Sequence, residues 1–133
     1  MAEAVLEVVS PRAVAVGGMT MGADPIAVAT ATWSGGKLNA FSIRKSDKDH
    51  GTGGRLVGPV GPGDSVIILE DTTTTGGALL EAVEVALDAG LAVIQAISLF
   101  DRSGSTVATL MVERGIPYLA LATPSELGVV DEG

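Results

Sequence analysis

The sequence predicts a single α/β domain over residues 1–133, built on a doubly wound, mainly parallel sheet of about five strands. Two observations lead to this fold class. Short runs of branched aliphatic residues alternate along the chain with longer segments whose apolar residues have helical spacing. Residues 66–69 are four aliphatics in succession, which is typical of a parallel strand covered on both faces. A chain of this length is expected to form one hydrophobic core.

The first half of the chain supplies a short helix at residues 3–9, a strand at 13–16, a helix at 25–33 and a strand at 38–43. The second helix is expected to start with Asp24 as its N-cap and Pro25 in its first turn.

The second half begins with a Gly/Pro turn at residues 58–64. The remaining predicted elements are a strand at 65–69, a helix at 78–89, a strand at 92–99, a helix at 105–113 and a strand at 118–122. Gly90 and Gly115 are placed to end the two helices. The tail at 129–133 is expected to be frayed.

Composition excludes several classes of function. The formal net charge of −8 repels nucleic-acid backbones, and few aromatic residues are available to stack on bases. Cysteine is absent and one histidine is present, so disulfide frameworks, thiolate sites and multi-histidine zinc sites are excluded. No apolar run approaches the roughly 20 residues of a membrane span, and the first residues lack the basic start of a signal peptide. A cytoplasmic protein without membrane or nucleic-acid partners is expected.

The most informative segment joins the aliphatic strand to a helix through a loop suited to an anion. Its members combine carboxylates, hydroxyls and glycines, and they are Glu70, Asp71, Thr72, Thr73, Thr74, Thr75, Gly76, Gly77 and Ala78. Glycines let backbone N–H groups approach a ligand at a helix N-terminus, and threonine hydroxyls add donors. Carboxylates at the carboxyl end of a parallel strand are placed to face sugar hydroxyls or Mg²⁺.

This segment has two alternative interpretations. A nucleotide-triphosphatase P-loop requires Lys and then Ser or Thr after its last glycine, and no lysine follows Gly77. An ordinary strand-to-helix turn, in which threonine caps the helix, remains an alternative when the loop is considered by itself.

Residues 70–78 resemble the 5-phosphoribosyl 1-pyrophosphate (PRPP) signature of the type I phosphoribosyltransferases. The resemblance implies the core fold of that family. It also implies that Asp71, helped by Glu70, holds the ribose hydroxyls and thereby Mg²⁺. Residues 72–78 would then cradle the 5′-phosphate, and the metal would be bound through PRPP.

The loop at residues 44–55 concentrates positive charge in an acidic chain. Arg44, Lys45, Lys48 and Arg55 are four of the eight Lys and Arg residues, and His50 lies among them. A mobile cationic segment is suited to closing over a polyphosphate and excluding water, so the loop is interpreted as a lid. A solvated loop in which Asp47 and Asp49 neutralise their neighbours is the alternative.

The order Arg-Lys-x-x-Lys-Asp-His-Gly, residues 44–51, resembles the catalytic loop of orotate phosphoribosyltransferases. This resemblance implies transfer of phosphoribose from PRPP to orotate, giving orotidine 5′-monophosphate and pyrophosphate in pyrimidine biosynthesis. Its implied catalytic residues are Lys45, Lys48, His50 and Asp71, with Arg44 also contacting pyrophosphate. The implied assembly is a homodimer whose lid reaches the neighbouring site.

Two weaker motifs follow the same family order. Gly17, Gly18, Met19 and Thr20 resemble its pyrophosphate loop, although such a turn alone is more often a connector. Arg102, after the strand at 92–99, matches the arginine that contacts the orotate carboxylate, and Thr74 is also implied to touch orotate. An Arg102 ion pair with Asp101 or a contact with a helix end remains the alternative.

The sequence also departs from the family. Several dozen residues usually precede the first motif and form a hood that supplies an orotate loop and a further lysine; they are expected to be missing here. The threonines at 72–75 replace branched aliphatics. A non-catalytic PRPP-binding regulator, or a truncated relative, is therefore the second hypothesis. PRPP is expected to bind better than orotate.

Overall fold

A computed structural model describes residues 2–45 and 55–124 of the chain. The helices in this part are α1 (Ala2–Val8), α2 (Asp24–Trp33), α3 (Gly77–Asp88) and α4 (Thr106–Glu113). The strands are β1 (Ala15–Met19), β2 (Asn39–Ile43), β3 (Leu56–Val57), β4 (Ser65–Thr73), β5 (Ala92–Asp101) and β6 (Tyr118–Ala122). Within these residues, no helix has the length and apolar character needed to cross a bilayer.

The described strands form one sheet in the order β3-β2-β1-β4-β5-β6. All neighbours pair in parallel except β2 and β3, which form a two-residue antiparallel ladder. The chain moves outward from β1 to β2 and β3, then returns to place β4 on the other side of β1. The strand order therefore reverses between β1 and β4. Open α/β sheets bind ligands where the strand order reverses, at the carboxyl ends of the strands.

Helices cover both faces of the sheet, which explains the unbroken aliphatic run of β4. Val66 and Ile68 point to the face covered by α3 and α4, where they join a core with Leu79 and Met111. Ile67 and Leu69 point to the opposite face, in a core with residues of α1 and α2. All four strand residues are buried, so the doubly wound prediction is confirmed.

Several boundaries differ from the sequence-based expectations. β4 continues to Thr73, and β1 includes Gly17, Gly18 and Met19, which had been assigned to a turn. β3 was not expected, because two residues after a charged loop give no periodic signal. Asp24 is the first residue of α2, and its side chain does not cap the helix, so the N-cap prediction was wrong.

Candidate functional site

The carboxyl ends of β1 and β4 open into a cleft of about 400 Å³. Its lining comes from the β1–α2 turn, β4, α3 and the end of β2, and consists of Met19, Thr20, Met21, Gly22, Lys45, Glu70, Ala78 and Glu81. A smaller cavity of about 140 Å³ lies beside it, lined by Glu70 and residues 72–79. Glu70 and Ala78 border both cavities.

Glu70 and Asp71 form a coupled carboxyl pair at the end of β4. Glu70 is buried, with 6% of its surface exposed, whereas Asp71 is exposed. Burial, reinforced by the side-chain hydrogen bond with Asp71, raises the pKa of Glu70 to about 7. The same side-chain hydrogen bond lowers the pKa of Asp71. The backbone also fixes the pair, because Glu70 Oε1 accepts from the Asp71 N–H at 3.1 Å and Asp71 Oδ1 accepts from the Thr72 N–H at 2.7 Å.

The phosphate loop, residues 72–78, combines the end of β4 with the first turn of α3. Thr72, Thr74 and Thr75 are exposed, whereas Thr73 is buried in the strand. Gly76, with φ of 87°, is the N-cap of α3 and makes no side-chain cap hydrogen bond. Thr75 Oγ1 accepts from the Gly77 N–H at 3.3 Å. The loop thus presents hydroxyls and a helix N-terminus to the smaller cavity, an arrangement suited to a phosphate.

The β1–α2 turn starts later than the sequence indicated. Met19 and Thr20 line the cleft, but Gly17 and Gly18 lie within buried β1. A Cβ on Gly18 would lie 2.2 Å from the Leu69 carbonyl oxygen and 2.8 Å from Ala23 Cβ. Gly18 therefore permits close packing of β1 against β4 and the start of α2, and a direct contact with pyrophosphate stays a prediction for both glycines.

Lys45 enters the cleft from the end of β2, while Arg44 is exposed beside it and is not among the lining residues. Arg55, across the β2–β3 pair, donates from Nε to the Arg44 carbonyl and from Nη2 to the Lys45 carbonyl, both at 2.9 Å. Arg55 also pairs with Glu81 on α3. Sequence reasoning missed Glu81, because a glutamate on a helix resembles an ordinary surface charge.

The predicted orotate residues lie together at the ends of neighbouring strands. The Arg102 N–H donates to the Thr73 carbonyl at 2.8 Å, which places Arg102 beside the residue preceding Thr74. Asp101 Oδ1 accepts from the Ser103 N–H at 2.8 Å. The predicted site residues Lys48 and His50 lie outside the described residues.

Comparison with solved structures places this fold in one class. An orotate phosphoribosyltransferase of Mycobacterium tuberculosis, solved with Fe(III) dicitrate, matches with a TM-score of 0.81 and 33% identity, over 94% of this chain and 70% of that chain. The same enzyme solved with PRPP has a TM-score of 0.73 and 33% identity, over 86% and 64% of the two chains. The fold is that of a type I phosphoribosyltransferase core.

The orotate phosphoribosyltransferase of Streptomyces avermitilis is 42% identical over 118 residues, which are 86% of this chain and 65% of that protein. The chain belongs to the orotate phosphoribosyltransferase family. No protein-family model matches it. The chain spans about 65% of the length of the curated relatives that it matches.

Proposed function

We propose that the chain transfers phosphoribose from Mg²⁺-bound PRPP to orotate, yielding orotidine 5′-monophosphate and pyrophosphate for pyrimidine biosynthesis. One observation carries the proposal. Glu70, the first residue of the acidic pair, borders both a small cavity lined by residues 72–79 and a larger cleft lined by the β1–α2 turn and Lys45. PRPP has the same order of groups, with a ribose between a 5′-phosphate and a pyrophosphate. The family relationship and the PRPP complex of a relative support PRPP as the ligand.

The chemistry requires stabilisation of two opposite charges. As the bond from ribose C1 to pyrophosphate breaks, positive charge develops on the sugar and negative charge on the leaving group. In the proposed complex Asp71 and Glu70 accept hydrogen bonds from the ribose hydroxyls, and their negative charge favours the cationic sugar. Lys45 faces the pyrophosphate end of the cleft. Arg44, Lys48 and His50 are proposed to complete the positive charge around the leaving group.

Mg²⁺ is proposed to arrive with PRPP. Within residues 2–45 and 55–124 no group of three or more His, Cys, Asp and Glu side chains is arranged to hold a metal ion. Glu70 and Asp71 supply hard oxygen ligands, which Mg²⁺ prefers, but the remaining ligands must come from PRPP and water. The bound ion would neutralise the polyphosphate and orient it against the acidic pair.

Orotate is proposed to bind at the ends of β4 and β5. There the Arg102 guanidinium would pair with the orotate carboxylate, and Thr74 would donate a hydrogen bond to the base. A homodimer in which the lid of one chain reaches the site of its partner, and a cytoplasmic location, remain proposals drawn from the family resemblance.

The deciding experiment measures orotate consumption by the purified chain with PRPP and Mg²⁺, and identifies orotidine 5′-monophosphate by mass spectrometry. Activity that is lost in Asp71→Asn and retained in Asp88→Asn, an exposed carboxylate at the end of α3, supports the proposal. PRPP binding without turnover would favour the second hypothesis of a non-catalytic PRPP-binding protein. A chain that binds no PRPP would overturn both.

A further inference from the structure

Asp24, in the first turn of α2, joins the two segments that line the pyrophosphate end of the cleft. Its Oδ2 accepts a hydrogen bond from Thr20 Oγ1 at 2.6 Å, and its Oδ1 accepts one from Ser42 Oγ at 2.8 Å. Thr20 follows β1, and Ser42 lies in β2 three residues before Lys45. One carboxylate therefore fixes the β1–α2 turn to the strand that delivers Lys45.

The hydrogen bonds of the β1–α2 turn leave two of its backbone N–H groups available to a ligand. The Thr20 N–H donates to the Ile43 carbonyl, the Ala23 N–H to Met19 and the Asp24 N–H to Met21. Among the described residues, no acceptor is found for the N–H groups of Met21 and Gly22. Both residues line the cleft. Successive N–H groups without partners are a recurrent means of binding phosphate oxygens.

Asp71 lies close to the β1–α2 turn on the side facing the acidic pair. A Cβ built on Gly22 would lie 3.0 Å from Asp71 Oδ1, so the turn closely approaches the carboxylate assigned to the ribose. Asp24 and Asp71 thus flank the turn. A displacement of the turn would move the Met21 and Gly22 N–H groups relative to the acidic pair.

We propose that Asp24 is a positioning residue for pyrophosphate, and this inference rests on the proposed function. Both of its oxygens are occupied by hydroxyl donors, so its role is to hold the turn and the end of β2 at a fixed separation rather than to contact the ligand. Hydrogen bonds to a carboxylate are stronger than those between neutral groups, which suits this role.

The test compares two ligands that share the ribose 5-phosphate group. PRPP carries pyrophosphate, whereas orotidine 5′-monophosphate uses the acidic pair and the phosphate loop without it. Asp24→Ala should weaken PRPP binding, measured by calorimetry with Mg²⁺, by about tenfold, because the turn is no longer held. Binding of orotidine 5′-monophosphate should change by less than about twofold.

Three variants complete the design. In Asp24→Asn one hydroxyl can still donate to the amide oxygen, and the other can turn to accept from the amide NH₂, so this variant should restore PRPP affinity to within about threefold. Ser42→Ala removes one of the two bonds and should weaken PRPP binding by about threefold, which also provides a test if Asp24→Ala fails to fold. The matched control is Asp64→Ala. The Asp64 carboxylate accepts from the Gly61 N–H at 2.9 Å in a turn before β4, and its loss should leave the ratio of the affinities for PRPP and orotidine 5′-monophosphate unchanged.

Each outcome bears on the inference. Equal losses for the two ligands, unchanged PRPP affinity, or failure of Asp24→Asn to restore binding would overturn it and leave the proposed function standing. A wild-type chain that binds neither PRPP nor inorganic pyrophosphate would overturn the inference together with the proposed function.

Discussion

The hydroxyl oxygen of Tyr118 in β6 lies 2.8 Å from Oδ2 of Asp101 at the end of β5. The same oxygen is 2.9 Å from Ser98 Oγ. A phenol has one hydrogen, and the carboxylate is the stronger acceptor, so Tyr118 donates to Asp101 while the Ser98 hydroxyl donates to Tyr118. Burial raises the pKa of Tyr118 to about 12. Burial also opposes ionisation of Asp101, but hydrogen bonds from Ser103 and Tyr118 prevail and lower its pKa.

Tyr118→Phe should lower the free energy of unfolding by roughly 2 kcal/mol, because it leaves a buried carboxylate without one of its donors. Ser98→Ala removes only a neutral partner and should cost about 1 kcal/mol or less. Urea denaturation at neutral pH measures both. A Tyr118→Phe protein as stable as the wild type would show that the Asp101 hydrogen bond contributes nothing net.

Asp71→Asn should weaken PRPP binding by at least about tenfold, since the amide retains one acceptor but loses the charge that favours Mg²⁺-bound PRPP. Removal of Mg²⁺ with a chelator should weaken wild-type binding as well. Calorimetry measures both effects, and Asp88→Asn serves as the control for a lost negative charge. Metal-independent binding that survives Asp71→Asn would indicate a generic anion site.

Lys45→Ala should lower turnover by at least about tenfold while changing PRPP affinity less, because its charge acts mainly on the leaving pyrophosphate. Lys48, outside the described residues, is expected to behave in the same way. Lys37→Ala is the control, since Lys37 is exposed and does not line the cleft. A variant with weaker PRPP binding and unchanged turnover would contradict a role in the chemical step.

The fold was largely predictable because its signals are local. The aliphatic run of β4 and the apolar faces of α3 and α4 report burial directly in the sequence. β3 was missed, since two residues give no periodic signal and their pairing with β2 is not visible along the chain. Gly17 and Gly18 were placed in a turn because glycine is common in turns, whereas here it allows close packing of strands.

The site was predictable only where its residues are contiguous. Residues 70–78 form one segment, so their composition indicated an anion site. Asp24 and Ser42, or Arg55 and Glu81, are joined across elements, and no pattern along the chain signals such pairs. Asp24 carried a strong local signal for a helix cap, but its carboxylate instead accepts the Thr20 and Ser42 hydroxyls.

Glu70 should give stability and PRPP affinity opposite dependences on pH. Its pKa is raised from 4.5 to about 7, mainly by burial, so the folded state binds this proton more tightly than the unfolded chain. The free energy of unfolding should therefore fall as pH rises through this window. The upper limit of this effect is about 1.4 kcal/mol per pKa unit, and it is reduced because the cleft is open to solvent. Between about pH 5 and 8 the free energy of unfolding of Glu70→Gln should therefore fall by about 2 kcal/mol less than that of the wild type.

PRPP affinity should rise over the same range, because an ionised Glu70 accepts hydrogen bonds from the ribose hydroxyls and attracts Mg²⁺, whereas a protonated Glu70 donates a hydrogen bond to Asp71 instead. Titration of the PRPP phosphates is common to both proteins, so the difference between wild type and Glu70→Gln isolates the Glu70 contribution. Denaturation and calorimetry at several pH values measure the two trends. Parallel pH profiles for the wild type and Glu70→Gln would mean that Glu70 does not titrate near neutrality. A difference in stability alone would mean that its charge does not act on PRPP.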